Sequence, residues 1–132
     1  MIFDTSIILE ILRNKKFLEK LKIDEEVRIT SITVYELLRG AILKKLKSYS
    51  TRELNVILDL LEELEIEGFS PTDARIASLI WAKLRKTGRN VNDADIMIAS
   101  ICISRNEALV TKDVDFEKIK KVEPKLKLKI IK

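Results

Sequence analysis

The chain has no histidine and one cysteine, Cys102. Without imidazole there is no Ser-His-Asp or Cys-His arrangement, no imidazole acid or base and no zinc site built on His. A lone cysteine excludes an internal disulfide. Glycine and proline are scarce, three and two among 132 residues, so no Gly-rich loop is available to cradle a nucleotide phosphate. No apolar run reaches the ~18 residues of a transmembrane helix. No charged leader with an apolar core opens the chain, so the expected location is the cytoplasm and no membrane partner is expected. Neither sign of charge dominates: 25 basic residues face 21 acidic ones, for a net +4. That balance is compatible with nucleic acid without demanding it. Catalysis here has to come from carboxylates, lysines or a metal.

What is present is a core-forming sequence, 46% hydrophobic and 35% charged. The length suits one domain over residues 1–132 with a substantial core. Ile2-Phe3 reads as the end of a buried strand, and Ile7 to Leu12 as the helix after it. Residues 27–29 form a second strand. Val34, Leu37, Leu38, Ala41, Ile42 and Leu46 then give the next helix an apolar face. Leu54, Ile57, Leu58, Leu61 and Leu64 do the same for a third. Ile66 to Phe69 is a third strand. Ser70-Pro71-Thr72-Asp73 combines an N-cap, Pro at the first helical position and an acid three residues on, a firm helix start, and Gly88 stops that helix. Asn92-Asp93 begins a helix apolar nearly all round, which implies burial on most sides and makes Cys102 a core filler. Residues 108–110 form a fourth strand. From 125 to 132 lysines alternate with Leu126, Leu128 and Ile130, the pattern of a charge-guarded edge strand. Short strands separated by helices imply an α/β fold, a three-layer α/β/α sandwich around a parallel sheet.

Asp4 follows the first strand, Glu36 opens the helix after the second, Asp95 opens the helix before the fourth, and Asp113 follows the fourth. In a parallel sheet the carboxyl ends of the strands share one edge, where ligands of open α/β sheets bind. Asp4, Glu36 and Asp113 converge there by topology. The approach of Asp95 depends on the direction of its helix, which the sequence leaves open. Each acid also has a structural use. Asp4 can cap a helix. Thr33 and Glu36 can form a capping box. Asp93 and Asp95 complement a helix dipole, and Asp113 and Asp115 can shape a turn. The apolar neighbours of all four acids favour a shared site. Clustered, buried carboxylates repel and hold their protons until a cation relieves them. Oxygen-only ligands point to Mg²⁺ or Mn²⁺, which activates water and stabilises phosphate charge in phosphodiester cleavage.

The segments IFDTS at 2–6, SITVYELLRG at 31–40, NDADIMIAS at 92–100 and LVTKDVDF at 109–116 occur in this order along the whole chain. Together they resemble the PIN-domain ribonucleases, and specifically the toxins of VapBC toxin–antitoxin pairs. The resemblance implies a PIN-like α/β/α sandwich and a Mg²⁺- or Mn²⁺-dependent endoribonuclease with Asp4, Glu36, Asp95 and Asp113 as catalytic and metal-binding acids. Asp115 is a frequent accessory, and Thr111 and Ser6 match supporting hydroxyls. It also implies an RNA substrate, a cognate antitoxin and a homodimer. Alternatives within the family are an RNA-processing or quality-control nuclease without an antitoxin and a non-catalytic RNA-binding domain, which would have no need of clustered acids. Outside it, a haloacid-dehalogenase-like phosphatase wants an acid where Ser6 stands. A receiver domain wants one at the end of the third strand, where Gly68-Phe69 stand.

Overall fold

The computed structural model describes residues 1–23 and 25–132. Five strands, β1 (Ile2–Phe3), β2 (Arg28–Thr30), β3 (Glu65–Glu67), β4 (Leu109–Thr111) and β5 (Leu128–Ile130), form one sheet in the order β3-β2-β1-β4-β5. Every pairing is parallel. The helices are α1 (Thr5–Arg13), α2 (Phe17–Lys20), α3 (Ser31–Ser48), α4 (Arg52–Glu63), α5 (Pro71–Lys86), α6 (Asp93–Ser104) and α7 (Phe116–Val122). Among the described residues, none of them is long and apolar enough to cross a membrane.

Strand alternation divides the core into two layers. Ile2 and Leu109 face α5, α6 and α7, packing with Ile80, Leu84, Ile98, Ile101, Phe116 and Ile119. Phe3, Ile29 and Val110 face α1 to α4, packing with Ile7, Ile8, Phe17, Leu37 and Ile57. The expected α/β/α sandwich is the observed one. Helix α6 is its most buried helix, with Ile96, Ile98, Ala99, Ser100, Ile101 and Cys102 all inside. The edge strands are short and charged, β3 by Glu65 and Glu67, β5 by Lys127 and Lys129 beside it, which discourages pairing with other chains.

Several local expectations shift. Strand β3 is Glu65–Glu67, so Gly68 and Phe69 leave the sheet, and the Gly68 carbonyl accepts from Arg105 Nη2 at 2.8 Å. Strands β2 and β4 each lie one residue later than expected. Leu58, Ile42 and Leu46 are exposed rather than buried. The buried stripe of α4 centres on Ile57, and that of α3 ends at Ala41, beyond which the helix outruns the sheet. The Thr33–Glu36 capping box does not form. Thr30 is the N-cap of α3 and its hydroxyl accepts from the Thr33 N–H at 3.1 Å. Glu36 is therefore three positions too far into the helix to reach back.

The capping box of α5 does form, with Ser70 and Asp73 bonded reciprocally. Asp73 is wholly buried and belongs to a wider network. Arg105 donates from Nη1 to both its oxygens, at 2.7 and 2.9 Å, and from Nε to Glu67 at 3.1 Å. Burial pushes the Asp73 carboxyl up. Hydrogen bonds from Ser104, Ser70 and Arg105 outweigh it and leave the group below its ordinary value. Its contribution to stability is therefore present at neutral pH and lost as the pH falls below the ordinary carboxylate range. Removing one partner of such a pair strands a buried charge. Arg105→Met is expected to cost about 3–5 kcal/mol in denaturant unfolding; a loss near the ~0.5 kcal/mol of a surface pair would show that the network contributes little.

Candidate active site

The strand order places β1 between β2, which follows it, and β4, which arrives more than a hundred residues later. This is the point where the order reverses, and open α/β sheets bind ligands in the crevice at such a point. The register Phe3↔Val110 sets Asp4 beside Thr111 just past the strand ends. Thr111 Oγ1 donates to Asp4 Oδ2 at 2.6 Å, and Ser6 Oγ donates to Asp4 Oδ1 at 2.6 Å. The Ile7 N–H also donates to Oδ1, at 3.2 Å, so Asp4 caps α1 as well as facing the crevice. The two hydroxyls lie 3.3 Å apart. The Lys112 N–H donates to Ser6 Oγ at 3.0 Å, and the Asp113 N–H to Thr111 Oγ1 at 2.9 Å. Both accessory hydroxyls thus tie the ends of β1 and β4 together around one carboxylate.

Glu36 reaches the same corner from α3. Its Oε1 accepts from Thr5 Oγ1 at 2.7 Å, and its Oε2 lies 3.5 Å from Arg39 Nη2. Asp113 sits in the turn after β4, with Oδ1 accepting the Asp115 N–H at 2.9 Å. Asp115 itself turns to Lys118, 3.2 Å away. Asp95 enters from the first turn of α6. It is 8% exposed, and its carboxylate accepts from Asn92 Nδ2 at 3.1 Å while its N–H bonds back to Asn92 Oδ1. Asp93, two residues earlier, is exposed.

Electrostatics tie the acids together. Burial, followed by the negative charges of Asp113, Glu36 and Asp4, pushes Asp95 up to about 7. Burial also raises Asp4, against the hydrogen bonds of Ser6, Thr111 and Ile7, and Asp113 adds to the rise. No cation stands among the groups that govern either acid. Yet among the described residues no three carboxylates stand close enough to form a ready-made metal cage. The acids approach one corner of the sheet without forming a close cluster. That suits a hard ion that keeps several waters and takes only one or two carboxylates directly.

Three supporting residues escaped the sequence reading. Thr5 holds Glu36, Asn92 holds Asp95 and Thr33 lies 3.2 Å from Thr5 Oγ1. Asn92 was legible in part, since an Asn three residues before an acid is the spacing of an N-cap and its N3 partner. Thr5 had no local signal, because its partner is 31 residues away.

Raising a carboxyl makes the folded state hold a proton that the unfolded chain releases. Stability of the metal-free protein therefore falls as pH rises from the ordinary value near 3.8 through about 7. The penalty reached at neutral pH is on the order of 4 kcal/mol. The metal-free wild type is expected to melt higher at about pH 5.5 than at about pH 7.5, and Asp95→Asn to flatten that difference and raise the melting point at the upper pH. A loss of stability in Asp95→Asn at the upper pH would contradict it.

The sequence model of the PIN domain matches residues 1–122. Ribonuclease VapC3 of Methanocaldococcus jannaschii is 35% identical over 100 residues, 76% of this chain and 95% of that protein. The solved structure of DNA-bound VapBC from Salmonella typhimurium superposes with a TM-score of 0.82 at 28% identity, covering 98% of this chain and 96% of that one. VapBC2 from Rickettsia felis, bound to a DNA fragment from their promoter, gives 0.78 at 29% identity over the whole of both chains. By sequence and by fold, the chain belongs to the PIN-domain family, with VapC ribonucleases among its relatives.

Proposed function

We propose that the protein is a divalent-metal-dependent endoribonuclease acting in the cytoplasm as the toxin of a toxin–antitoxin pair, with 1–132 as one nuclease domain. The observation that carries the reading is the approach of Asp4, Glu36, Asp95 and Asp113 to one corner of the sheet's carboxyl edge, each held by its own hydrogen bonds, where burial and the neighbouring acids raise Asp95. Acids arranged at such cost, with the exposed Arg39 at 3.5 Å from Glu36 the one side-chain cation paired with any of the four among the described residues, suit a bound positive ion. The donor chemistry fits Mg²⁺ or Mn²⁺: the donors are carboxylate oxygens and hydroxyls, there is no histidine, and the one cysteine is buried with its thiol pushed up. Asp4, Glu36, Asp95 and Asp113 would hold the ion. When bound, it supplies Lewis-acid stabilisation of phosphate charge and a water acidic enough to attack at neutral pH.

The chain's own residues supply the order. Ser6 and Thr111 each hold one oxygen of Asp4, which leaves that carboxylate a fixed direction. Thr5 does the same for Glu36 and Asn92 for Asp95. Asp95 takes up a proton as the pH drops below about 7. Affinity for a cation should weaken over the same range, because ligation needs the charged form. Asp115, paired with Lys118, stands as an accessory that lies outside the four.

An RNA strand is the substrate that the relatives named ribonucleases support. The VapBC complexes among the solved relatives support a protein antitoxin. A groove of about 900 Å³ lined by Leu9, Leu12, Leu18 and Val56, with Arg13 and Arg52 at its margin, has the character that receives an amphipathic helix with acidic flanks. Ile42, Leu43, Leu46 and Tyr49 on the exposed half of α3 offer apolar area for a homodimer.

Cleavage of mixed RNAs by the purified protein tests the reading. Activity is expected with Mg²⁺ or Mn²⁺ and not in EDTA. Asp4→Asn and Asp95→Asn should fall to the EDTA background while keeping their helical circular dichroism. Thr111→Val should weaken metal affinity roughly 10–100-fold, as loss of a ligand-orienting partner does. Wild-type cleavage by folded Asp95→Asn, or undiminished cleavage in EDTA, would overturn it.

A further inference from the structure

A second cleft of about 220 Å³ opens next to the acids, lined by Trp81, Arg85, Arg89, Asn90, Asn92 and Asp93. It shares Asn92 with the site described above, since the Asn92 amide donates to Asp95 at 3.1 Å. We propose that this cleft takes one unpaired nucleotide of the RNA substrate beside the scissile phosphate, with its base on the stacked platform of Arg85 and Trp81 and its phosphate against Arg89. The inference rests on the nuclease reading and assigns that site a nucleotide subsite.

The chemistry of the walls differs from that of the acid pocket. Trp81 is 45% exposed, an expensive placement for the largest apolar side chain unless something covers it. The Arg85 guanidinium lies over its ring, 4.9 Å from the centroid. Guanidinium planes and aromatic rings are the two surfaces on which proteins stack splayed bases, and such stacking tolerates any base. Arg85 and Arg89 bring positive charge to a site whose other wall, around Asp95, is strongly negative. A strand crossing both therefore has its backbone phosphate attracted here and its reacting phosphate directed to the acids. Asp93 repels a phosphate and leaves its wall to a base edge, where a carboxylate accepts from exocyclic amino groups. The volume lies below the ~300 Å³ of drug-sized pockets, room for a single base and too narrow for a duplex. The apolar hollow that also borders Trp81, with Phe69, Ala77 and Met97, shares Asp93 but has neither arginine.

Trp81 is the sole tryptophan, so its emission reports the cleft and the hollow that adjoins it and no other part of the protein. The probe is a fluorescein-labelled single-stranded RNA oligonucleotide of mixed sequence, with the blunt duplex of the same sequence as control. Binding is measured on full-length Asp4→Asn, which leaves the RNA intact. Saturable quenching of Trp81 by the single strand and not by the duplex is expected. In the otherwise wild-type enzyme, Trp81→Ala and Arg89→Ala should raise KM about tenfold and leave kcat within about twofold, and Trp81→Phe should restore KM. RNA that binds by anisotropy and is cleaved, while Trp81 emission stays constant, overturns the subsite and leaves the nuclease reading intact. Trp81→Ala that alters sedimentation as a dimer but not KM also overturns it, and assigns the face to self-association. Absence of both cleavage and anisotropy change sinks the nuclease reading, and the subsite with it.

Discussion

Everything near the acids depends on the pairing of β1 with β4. Two residues of β1, Ile2 and Phe3, sit at the centre of the sheet and are fully covered on both faces. Their burial fixes which residue comes next at the carboxyl edge, and that residue is Asp4. The same register delivers Thr111 to it, across 107 residues of sequence, for a 2.6 Å hydrogen bond. A slip of one residue in β4 would turn Val110 and Thr111 to opposite faces and remove the hydroxyl from the carboxylate. Hydrophobic packing thus specifies a polar arrangement that would not assemble for its own sake.

The two ends of the sheet treat negative charge in opposite ways. At the amino end Arg28 pairs with Glu65, Glu67 and Glu107, the Met1 amine pairs with Glu107, and Arg105 pairs with Glu67 and Asp73. Acids there are neutralised, and Asp73 is held below its ordinary value. At the carboxyl end Asp4 and Asp95 are buried to a similar degree, and burial raises both, with neighbouring acids adding to the rise instead of a cation opposing it. Burial is common to the two ends. The difference is the partner, and it separates carboxylates that stabilise this fold from carboxylates that weaken it.

Much of this was readable from residue patterns. The Ser70–Asp73 cap, the all-round apolar helix from Asn92 and the lysine-guarded strand at 128–130 each follow from local periodicity and capping chemistry, and each is found. The parallel sheet between helical layers followed once strands and helices alternated. What could not be read was of two kinds. Where Thr30, Ser31 and Thr33 compete for one N-cap, sequence spacing cannot choose, and the choice of Thr30 removed Glu36 from its supposed box and freed it for Thr5. The other kind is pairing across the fold. Arg105 with Asp73 and Thr5 with Glu36 join residues about thirty positions apart, and nothing local to either partner announces the other. The exposed ends of α3 and α4 were misread because periodicity reports an apolar face without reporting what it meets.

The central position of β1 has a consequence for synthesis. The first strand leaves the ribosome early, yet its far neighbour β4 spans Leu109–Thr111. Until that stretch emerges, Asp4 lacks Thr111, Asp113 does not exist, and α6 has no completed sheet to lie on. A nascent chain therefore carries most of the acids without the pocket.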